Sequence, residues 1–299
     1  MTQRSGTAVG IGWALLAMAC FAMLDTTTKW VAGYVPVLVA IAVRYCLQAV
    51  LTTATVLHQR GSSAWVTRHP GLHVARALLL LVVSGLAFVS LRHLPVGDFT
   101  AIVLLTPMVV TLAAAHMLQE KVSLLRKLLV AGGFVGTLLI VRPGADAFQW
   151  ALLVPVALVV VNSSFQLLTS HMTRTEDPMT IQLYTAWIGA VIPALLLPWV
   201  WQPIGSLGLW LALLFMACMA SIGHYFFTLA FKHAPASTIM PYSYAQIAFA
   251  VLAGWLVFSH VPDAQSWLGM VLIALCGAAG AWLLAVERRR AAAASVESA

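Results

Sequence analysis

The chain has 299 residues, of which 62% are hydrophobic and only 8% are charged. An ordinary soluble domain carries about 25% charged residues with which to cover its surface, so this composition argues against a soluble enzyme and against a disordered chain. Lys and Arg outnumber Asp and Glu by 16 to 9, but no basic run is long enough to follow a phosphate backbone, so the excess indicates loops at a lipid surface and no nucleic-acid partner.

Apolar runs separated by polar, Pro or Gly residues predict ten membrane-spanning helices, numbered here as spans one to ten. They cover residues 8–29, 36–57, 74–93, 97–118, 124–141, 149–170, 178–200, 208–231, 236–258 and 264–286. All loops are short, so no soluble module is expected. The first run has no clear small-residue cleavage site before Asp25, and we interpret it as a retained span.

The distribution of basic residues predicts how the spans are oriented. With the N-terminus in the cytoplasm, twelve Lys and Arg residues lie on the cytoplasmic side of the membrane and three on the opposite side. Cytoplasmic loops are enriched in these residues. We therefore expect a multi-pass protein of the inner (plasma) membrane, surrounded by the lipid bilayer, with both termini in the cytoplasm.

Three charged residues lie near the outer ends of spans one and two. Asp25 and Lys29 are one helical turn apart, and Arg44 lies within span two. An Asp25–Arg44 or Asp25–Lys29 pair would be a charge-neutral structural feature, because unpaired charges are costly at membrane depth. A gate or a proton site is the functional alternative for the same three residues.

Spans three, four and six carry polar side chains near their centres. Ser84 and Phe88 lie in span three, and Thr106 and Thr111 flank Pro107 in span four, where the proline frees a carbonyl and forms a hinge. In span six, Asn162 is the chain's only asparagine, with Gln166 one turn on. Asn162 either hydrogen-bonds a substrate or joins neighbouring helices, while Thr106 and Thr111 line the kink, and Ser84 and Phe88 lie near the midplane.

Spans eight and nine add His224 and a proline-containing aromatic segment. Tyr242, Gln246 and Phe249 recur at helical spacing, so we expect them to share one face. Aromatic walls with a few polar groups suit an apolar or aromatic amino acid, or a flat cation. A tyrosine belt at the headgroups and a core histidine are the structural alternatives.

The predicted sites follow from these elements. The substrate-binding set is Ser84, Phe88, Thr106, Thr111, Asn162, Gln166, His224, Tyr242, Tyr244 and Gln246; the gate or charge pair is Asp25, Lys29 and Arg44; the hinges are Pro107 and Pro241.

The two halves of the chain resemble each other. The tetrapeptide Trp-Ala-Leu-Leu begins at Trp13 and again at Trp150, 137 residues later, and a His-x-Pro motif begins at His93 and again at His233. Chance similarity between Ala- and Leu-rich helices is the alternative to a repeat. We predict an all-α membrane protein of two five-helix repeats, residues 1–145 and 146–299, the second ending in a short cytoplasmic tail. An odd number of spans inverts the second repeat, and inverted repeats place a substrate site near the midplane.

Short motifs in both halves carry a family resemblance. They are Ala-Val-Arg-Tyr around Arg44, Pro107, Glu120-Lys121, the Gly136 to Pro143 segment, and His-Ala-Pro-Ala-Ser at 233–237 followed by Pro241, Tyr244 and Gln246. With these motifs the chain resembles the drug/metabolite transporter superfamily, in its ten-helix EamA-type branch. Where such proteins often have a Glu after span nine, this chain has Ser259-His260, so no role for that Glu carries over.

The resemblance implies export of a metabolite or drug through a central cavity. It implies that spans three, four, eight and nine line the cavity, that spans one and six contribute, and that spans five and ten are scaffold or dimer contacts. Span five carries Gly132 and Gly136, and span ten carries Gly277 and Ala281, positions that let helices approach closely. Packing within one chain explains these residues as well as a homodimer through spans five and ten does.

The functional expectation is a secondary transporter and not an enzyme. No GxxxxGK[ST], HExxH or GxSxG motif is present, so we expect no catalytic residues, no cofactor and no metal. The four cysteines show no paired spacing. The favoured function is export of small amphipathic metabolites, foremost aromatic or apolar amino acids, by alternating access. A drug or organic-cation exporter is the alternative within transport, and a structural or sensory membrane protein is the alternative from another class.

Overall fold

The computed structural model describes residues 2–60, 65–117, 123–141 and 153–297, and no strand occurs among them. A helix satisfies its backbone hydrogen bonds within one segment, which a chain in lipid requires. The elements are α1 (Thr2–Val31), α2 (Val37–Arg60), α3 (Pro70–His93), α4 (Val96–Val103), α5 (Thr106–Met117), α6 (Leu124–Val141), α7 (Leu153–Met172), α8 (Pro178–Val200), α9 (Leu207–His233), α10 (Ala236–Ile239), a 3-10 helix (Met240–Tyr244), α11 (Ala245–Phe258) and α12 (Ala264–Glu297).

Length and composition make seven of the described helices able to cross a membrane. Three shorter apolar helical segments, Val96–Val110, Lys127–Ile140 and Ala264–Gly280, accompany them. The described part of the protein is therefore all-helical. Its seven candidate spans are typical of a polytopic membrane protein.

Two of the predicted spans are interrupted at their prolines. In span four, α4 ends at Val103 and α5 begins at Thr106, directly before Pro107. In span nine, Pro241 lies in the 3-10 helix that separates α10 from α11. Proline lacks the backbone N–H and clashes with the preceding turn, so neither span continues as one regular α-helix.

Most of the extensive helix contacts join the first half of the chain to the second. The helix α1 packs along α9, α2 along α8, α3 along α7, α4 along α11 and α6 along α12. The space between the halves is thus enclosed by helices from both.

Glycines bring α6 and α12 into backbone contact. A Cβ atom at Gly136 would lie 2.8 Å from the carbonyl oxygen of Gly269, and one at Gly269 would lie 2.6 Å from the carbonyl oxygen of Gly136. Gly132 likewise faces Cys276, and Gly277 faces Tyr244. These predicted close-approach positions are used within the chain, while the side chain of Ala281 lies outside the described residues. A homodimer through spans five and ten stays a prediction.

The loop between α7 and α8 is tied to the segment before α3. Glu176 accepts hydrogen bonds from the Thr67 hydroxyl at 2.9 Å and from the Arg68 backbone N–H at 3.0 Å, and its carboxylate lies 3.8 Å from His73 Nε2. Burial raises the pKa of Glu176, but these hydrogen bonds and the nearby His73 outweigh it, so the pKa of Glu176 is lowered. The hydrogen bonds of this cluster join the two halves of the chain outside the candidate membrane spans.

Candidate functional site

A central cavity lies between the two halves of the chain. It is lined by residues of α1 to α5, α7, α9, the 3-10 helix and α11, and its volume is about 120 Å³. That volume holds several water molecules but is below the roughly 300 Å³ at which ligand pockets usually begin. In this conformation the cavity is therefore smaller than a usual ligand pocket.

A carboxylate and an amide meet at the boundary of this cavity. Gln246 Nε2, in α11, donates a hydrogen bond of 3.1 Å to Asp25 Oδ2, in α1. Asp25 is only 9% exposed. One hydrogen bond leaves most of the lone-pair positions of a carboxylate free, so Asp25 can accept further N–H or O–H donors from a ligand.

A guanidinium lines the same cavity from α2. Arg44 Nη2 donates to Ser84 Oγ at 2.6 Å, and the Tyr45 hydroxyl lies 3.0 Å from the same oxygen. The guanidinium carbon of Arg44 lies 4.5 Å from the centre of the Tyr45 ring. Arg44 Nε has no hydrogen-bond partner among the described residues, so it is available as a donor.

Two amide side chains of α7 lie across the cavity, near the break at Pro107 in span four. Asn162 Nδ2 is 3.4 Å from Thr106 Oγ1 in α5, which is a long hydrogen bond. Gln166 lines the cavity one turn further on, and no described residue donates to its Oε1. The contact to Thr106 joins two helices, and the remaining amide groups are free to hydrogen-bond a ligand.

Aromatic rings form an apolar wall around His224. The His224 ring lies between Phe21, at 4.8 Å between ring centroids, and Phe165, at 5.8 Å. Phe227 packs edge-on against Phe21 at 5.9 Å. The cavity thus combines hydrogen-bond donors and acceptors with flat apolar surfaces.

Most of the predicted site residues line this cavity. They are Asp25, Arg44, Ser84, Phe88, Thr106, Pro107, Asn162, Gln166, His224 and Gln246. Their roles in binding substrate stay predictions. Of the remaining residues, the side chain of Thr111 lies outside the described part, and the other four lie elsewhere.

Tyr242 and Tyr244 do not line the central cavity. The expectation that Tyr242 shares a face with Gln246 assumed α-helical spacing, whereas Met240–Tyr244 is a 3-10 helix with three residues per turn. Tyr242 is 37% exposed. Tyr244 lines a separate cavity of about 30 Å³, to which Pro241 also contributes.

Among the described residues, Asp25 forms an ion pair with neither Lys29 nor Arg44. Lys29 Nζ instead donates to the carbonyl oxygens of Leu91, at 3.3 Å, and Leu94, at 2.7 Å. These carbonyls lie at the C-terminal end of α3, where unsatisfied backbone acceptors and the helix dipole attract a cation. Lys29 therefore ties α1 to the end of α3.

Sequence reasoning missed the aromatic wall and two buried polar residues. Phe21 and Phe165 were not singled out because apolar helices contain many aromatic residues and their pattern does not say which face meets the cavity. Arg76, 1% exposed, donates to the hydroxyls of Thr169 and Thr185. Gln48 is completely buried. A polar side chain within an apolar span was the available indication for both.

An all-helical chain with candidate membrane spans and a polar cavity between its halves has the architecture of a membrane transporter. The chain belongs to the EamA-like transporter family, whose model matches residues 8–142 and again residues 149–283. It is accordingly a multi-pass protein of the plasma membrane.

Three relatives and one solved structure are similar over nearly the whole chain. A riboflavin transporter of Rhizobium johnstonii is 30% identical, covering 91% of this chain and 90% of the relative. One of Brucella anthropi is 28% identical, covering 86% and 93%. An S-adenosylmethionine uptake transporter of Rickettsia conorii is 23% identical, covering 88% and 89%. A protein crystal structure, 22% identical, matches with a TM-score of 0.67 over 95% of this chain and 98% of that one, which supports the fold alone.

Proposed function

We propose that this protein transports riboflavin, or a closely similar flat heterocycle, across the plasma membrane. The observation that carries the proposal is the similarity to two riboflavin transporters over most of each chain. The cavity chemistry agrees with it. A flavin ring is planar and apolar on its faces, with an imide N–H and carbonyl oxygens at one edge. Aromatic rings suit its faces, Asp25 can accept from the N–H, and Arg44 and Asn162 can donate to the carbonyls.

The proposed mechanism is alternating access by two inverted repeats of five spans. Two matches of the same family model, one in each half, support a repeat. The contacts also support it: exchanging the halves turns the α1–α9 pair into the α3–α7 pair and leaves the α2–α8, α4–α11 and α6–α12 pairs unchanged. Ten spans result when the three shorter apolar segments are added to the seven longer helices. The positive-inside distribution then places both termini in the cytoplasm.

The proposed roles of the residues follow from this mechanism. Asp25, Arg44, Asn162, Gln166 and Gln246 hydrogen-bond the substrate. The breaks at Pro107 and Pro241 allow spans four and nine to bend as the cavity widens and changes its open side.

Amino-acid export is the second candidate. The observation that favours it is the presence of a carboxylate, Asp25, and a guanidinium, Arg44, in one cavity without an ion pair between them. They match the ammonium and carboxylate groups of a zwitterion. Against it, the relatives reported above are riboflavin and S-adenosylmethionine transporters.

Counterflow into proteoliposomes tests the proposal. Purified protein is reconstituted with unlabelled riboflavin inside, and labelled riboflavin is added outside. We expect saturable accumulation that excess riboflavin abolishes and that aromatic amino acids leave unchanged. Accumulation of a labelled aromatic amino acid, and none of riboflavin, would replace the proposal with the second candidate. No accumulation of either by protein with a cooperative thermal unfolding transition would reject both.

A further inference from the structure

A second cavity opens between α2, α8 and α9. Its volume is about 280 Å³. Thr55 and Ile222 on its lining are exposed, so it opens on the side of the helix bundle, within the candidate membrane spans. It shares no lining residue with the central cavity.

The second cavity contains a buried acceptor that lacks a donor. Gln182 is 3% exposed. Its Nε2 makes only a long contact of 3.4 Å to the Ser221 carbonyl oxygen, and its Oε1 has no hydrogen-bond partner among the described residues. An unsatisfied buried amide oxygen is costly. Gln182 lies on the cavity lining, so a rotation of its side chain toward the cavity would let a ligand supply the missing donor.

A second unpaired amide lies between the two cavities. Arg44, Gln48 and Thr52 are on successive turns of one face of α2. Arg44 lines the central cavity and Thr52 the second one. Gln48 is 0% exposed, and neither its Nε2 nor its Oε1 has a partner in the described part of the chain. Buried polar groups of this kind in membrane spans mark substrate pathways.

The neighbouring helix α9 also contributes to both cavities. On α9, Ser221 lines the second cavity and His224, on the next turn, lines the central one. On α2, Gln48 therefore lies between the residues that line the central cavity and those that line the second one.

We propose that the second cavity is a further binding station for the transported substrate, connected to the central cavity past Gln48. This inference rests on the proposed function and takes the same ligand class, a flat heterocycle with an imide N–H. Gln182 Oε1 accepts from that N–H, and Gln48 hydrogen-bonds the substrate during passage. The alternative ligand is the acyl chain of a lipid, because the cavity lies within the candidate membrane spans. An acyl chain has no hydrogen-bond donor for Gln182.

Cys218 lines the second cavity and reports on its occupancy. A single-cysteine variant, Cys20→Ser/Cys46→Ser/Cys276→Ser, keeps Cys218 alone. In proteoliposomes that show riboflavin counterflow, we measure the rate at which a small maleimide labels Cys218. We expect saturating riboflavin to slow labelling at least fivefold. Gln182→Leu should remove most of this protection and lower counterflow at least tenfold.

The matched control is Gln265→Leu, because Gln265 is exposed at the start of α12, away from both cavities. It should keep both protection and counterflow. Protection that persists in Gln182→Leu would show that riboflavin acts on Cys218 from the central cavity, and would overturn the inference. Intact counterflow without protection would also overturn it. Absent counterflow in the wild-type protein would instead reject the proposed function, and this inference with it.

Discussion

Asp25 is the buried carboxylate of the central cavity, and Gln246 is the described side chain that donates to it. Replacing Gln246 by leucine removes that donor and places an alkyl group beside a carboxylate. A lost hydrogen bond to a charged group costs roughly 1.5–3 kcal/mol, and each 1.4 kcal/mol is about a factor of ten. We therefore expect Gln246→Leu to lower kcat/KM for riboflavin counterflow about ten- to hundredfold.

The control for this variant is again Gln265→Leu, which makes the same substitution on an exposed residue. Both variants should retain the thermal unfolding transition of the wild type. If Gln246→Leu transports at the wild-type rate, then the Asp25–Gln246 pair is only a structural contact.

Glu176 makes a pH-dependent contact outside the membrane. Its pKa is lowered below the ordinary value of 4.5 by the Thr67 and Arg68 hydrogen bonds and by His73, which together outweigh burial. A lowered carboxyl pKa stabilises the folded protein above the ordinary pKa, and this stabilisation is lost as the pH falls through the lowered pKa. We expect the wild type to have a higher Tm than Glu176→Gln at pH 6. The difference should begin to shrink as the pH falls below 4.5 and should disappear below the lowered pKa.

Thermal unfolding in detergent as a function of pH measures this effect. The glutamine retains an acceptor oxygen for Thr67 and Arg68, so the comparison isolates the charge. A Tm difference that stays constant from pH 6 down to pH 3 would contradict the ionic contribution.

At the residue scale, polarity at membrane depth was informative and orientation was not. Asn162 and Gln246 were predicted as site residues because an amide in an apolar span is costly, and both line the cavity. Lys29 is also polar, but it donates a hydrogen bond to a carbonyl oxygen at the end of α3. Which carbonyl oxygens lie within hydrogen-bonding distance of an ammonium depends on tertiary packing. The pattern of polar residues in the sequence does not predict that packing.

At the element scale, hydrophobic length predicted most of the helices. The spans at 178–200 and 208–231 agree with α8 and α9 within one or two residues. An apolar run of about 20 residues between polar loops has the length of a membrane-spanning helix, so its ends are well defined by the sequence. Span nine was predicted as one helix. Tyr242 lies in the 3-10 helix Met240–Tyr244, which has three residues per turn, so it no longer stands at α-helical spacing from Gln246.

The α6–α12 contact depends on two glycines. A methyl group at Gly269 would lie 2.6 Å from the carbonyl oxygen of Gly136, and backbone cannot move aside as a flexible side chain does. Overpacking costs about 1–3 kcal/mol, whereas replacing Gly by Ala in a helix gains up to about 1 kcal/mol. We expect Gly269→Ala to lower the Tm in detergent.

Gly280 provides the matched control on the same helix. No atom lies within 4 Å of a Cβ built there, so Gly280→Ala should leave the Tm unchanged or raise it slightly. Equal Tm values for both variants would show that α6 and α12 are less closely packed than the glycine contact indicates.

At the scale of the whole molecule, the two halves meet at both the cavity and the Glu176 cluster. The cavity takes polar groups from each half, and Glu176 joins the loop after α7 to residues 67 and 68, more than one hundred positions earlier. The sequence matches between Trp13 and Trp150 predicted a repeat. They did not predict which helices pair, because pairing depends on how the two halves face each other.

The proposed alternating-access mechanism requires the end of the molecule at Glu176 to open and close. In a Cys20→Ser/Cys46→Ser/Cys218→Ser/Cys276→Ser background, Thr67→Cys and Glu176→Cys place thiols where the two side chains are now in contact, at 2.9 Å. A short bifunctional thiol reagent should link them and stop riboflavin counterflow, because the linked halves cannot separate at this end. A cleavable linker should restore counterflow on reduction. The two single-cysteine variants should be insensitive to the reagent, which excludes simple modification. Counterflow that continues at the wild-type rate with the crosslink fully formed would show that this end stays closed throughout transport, and the two halves would then have to move about a different contact.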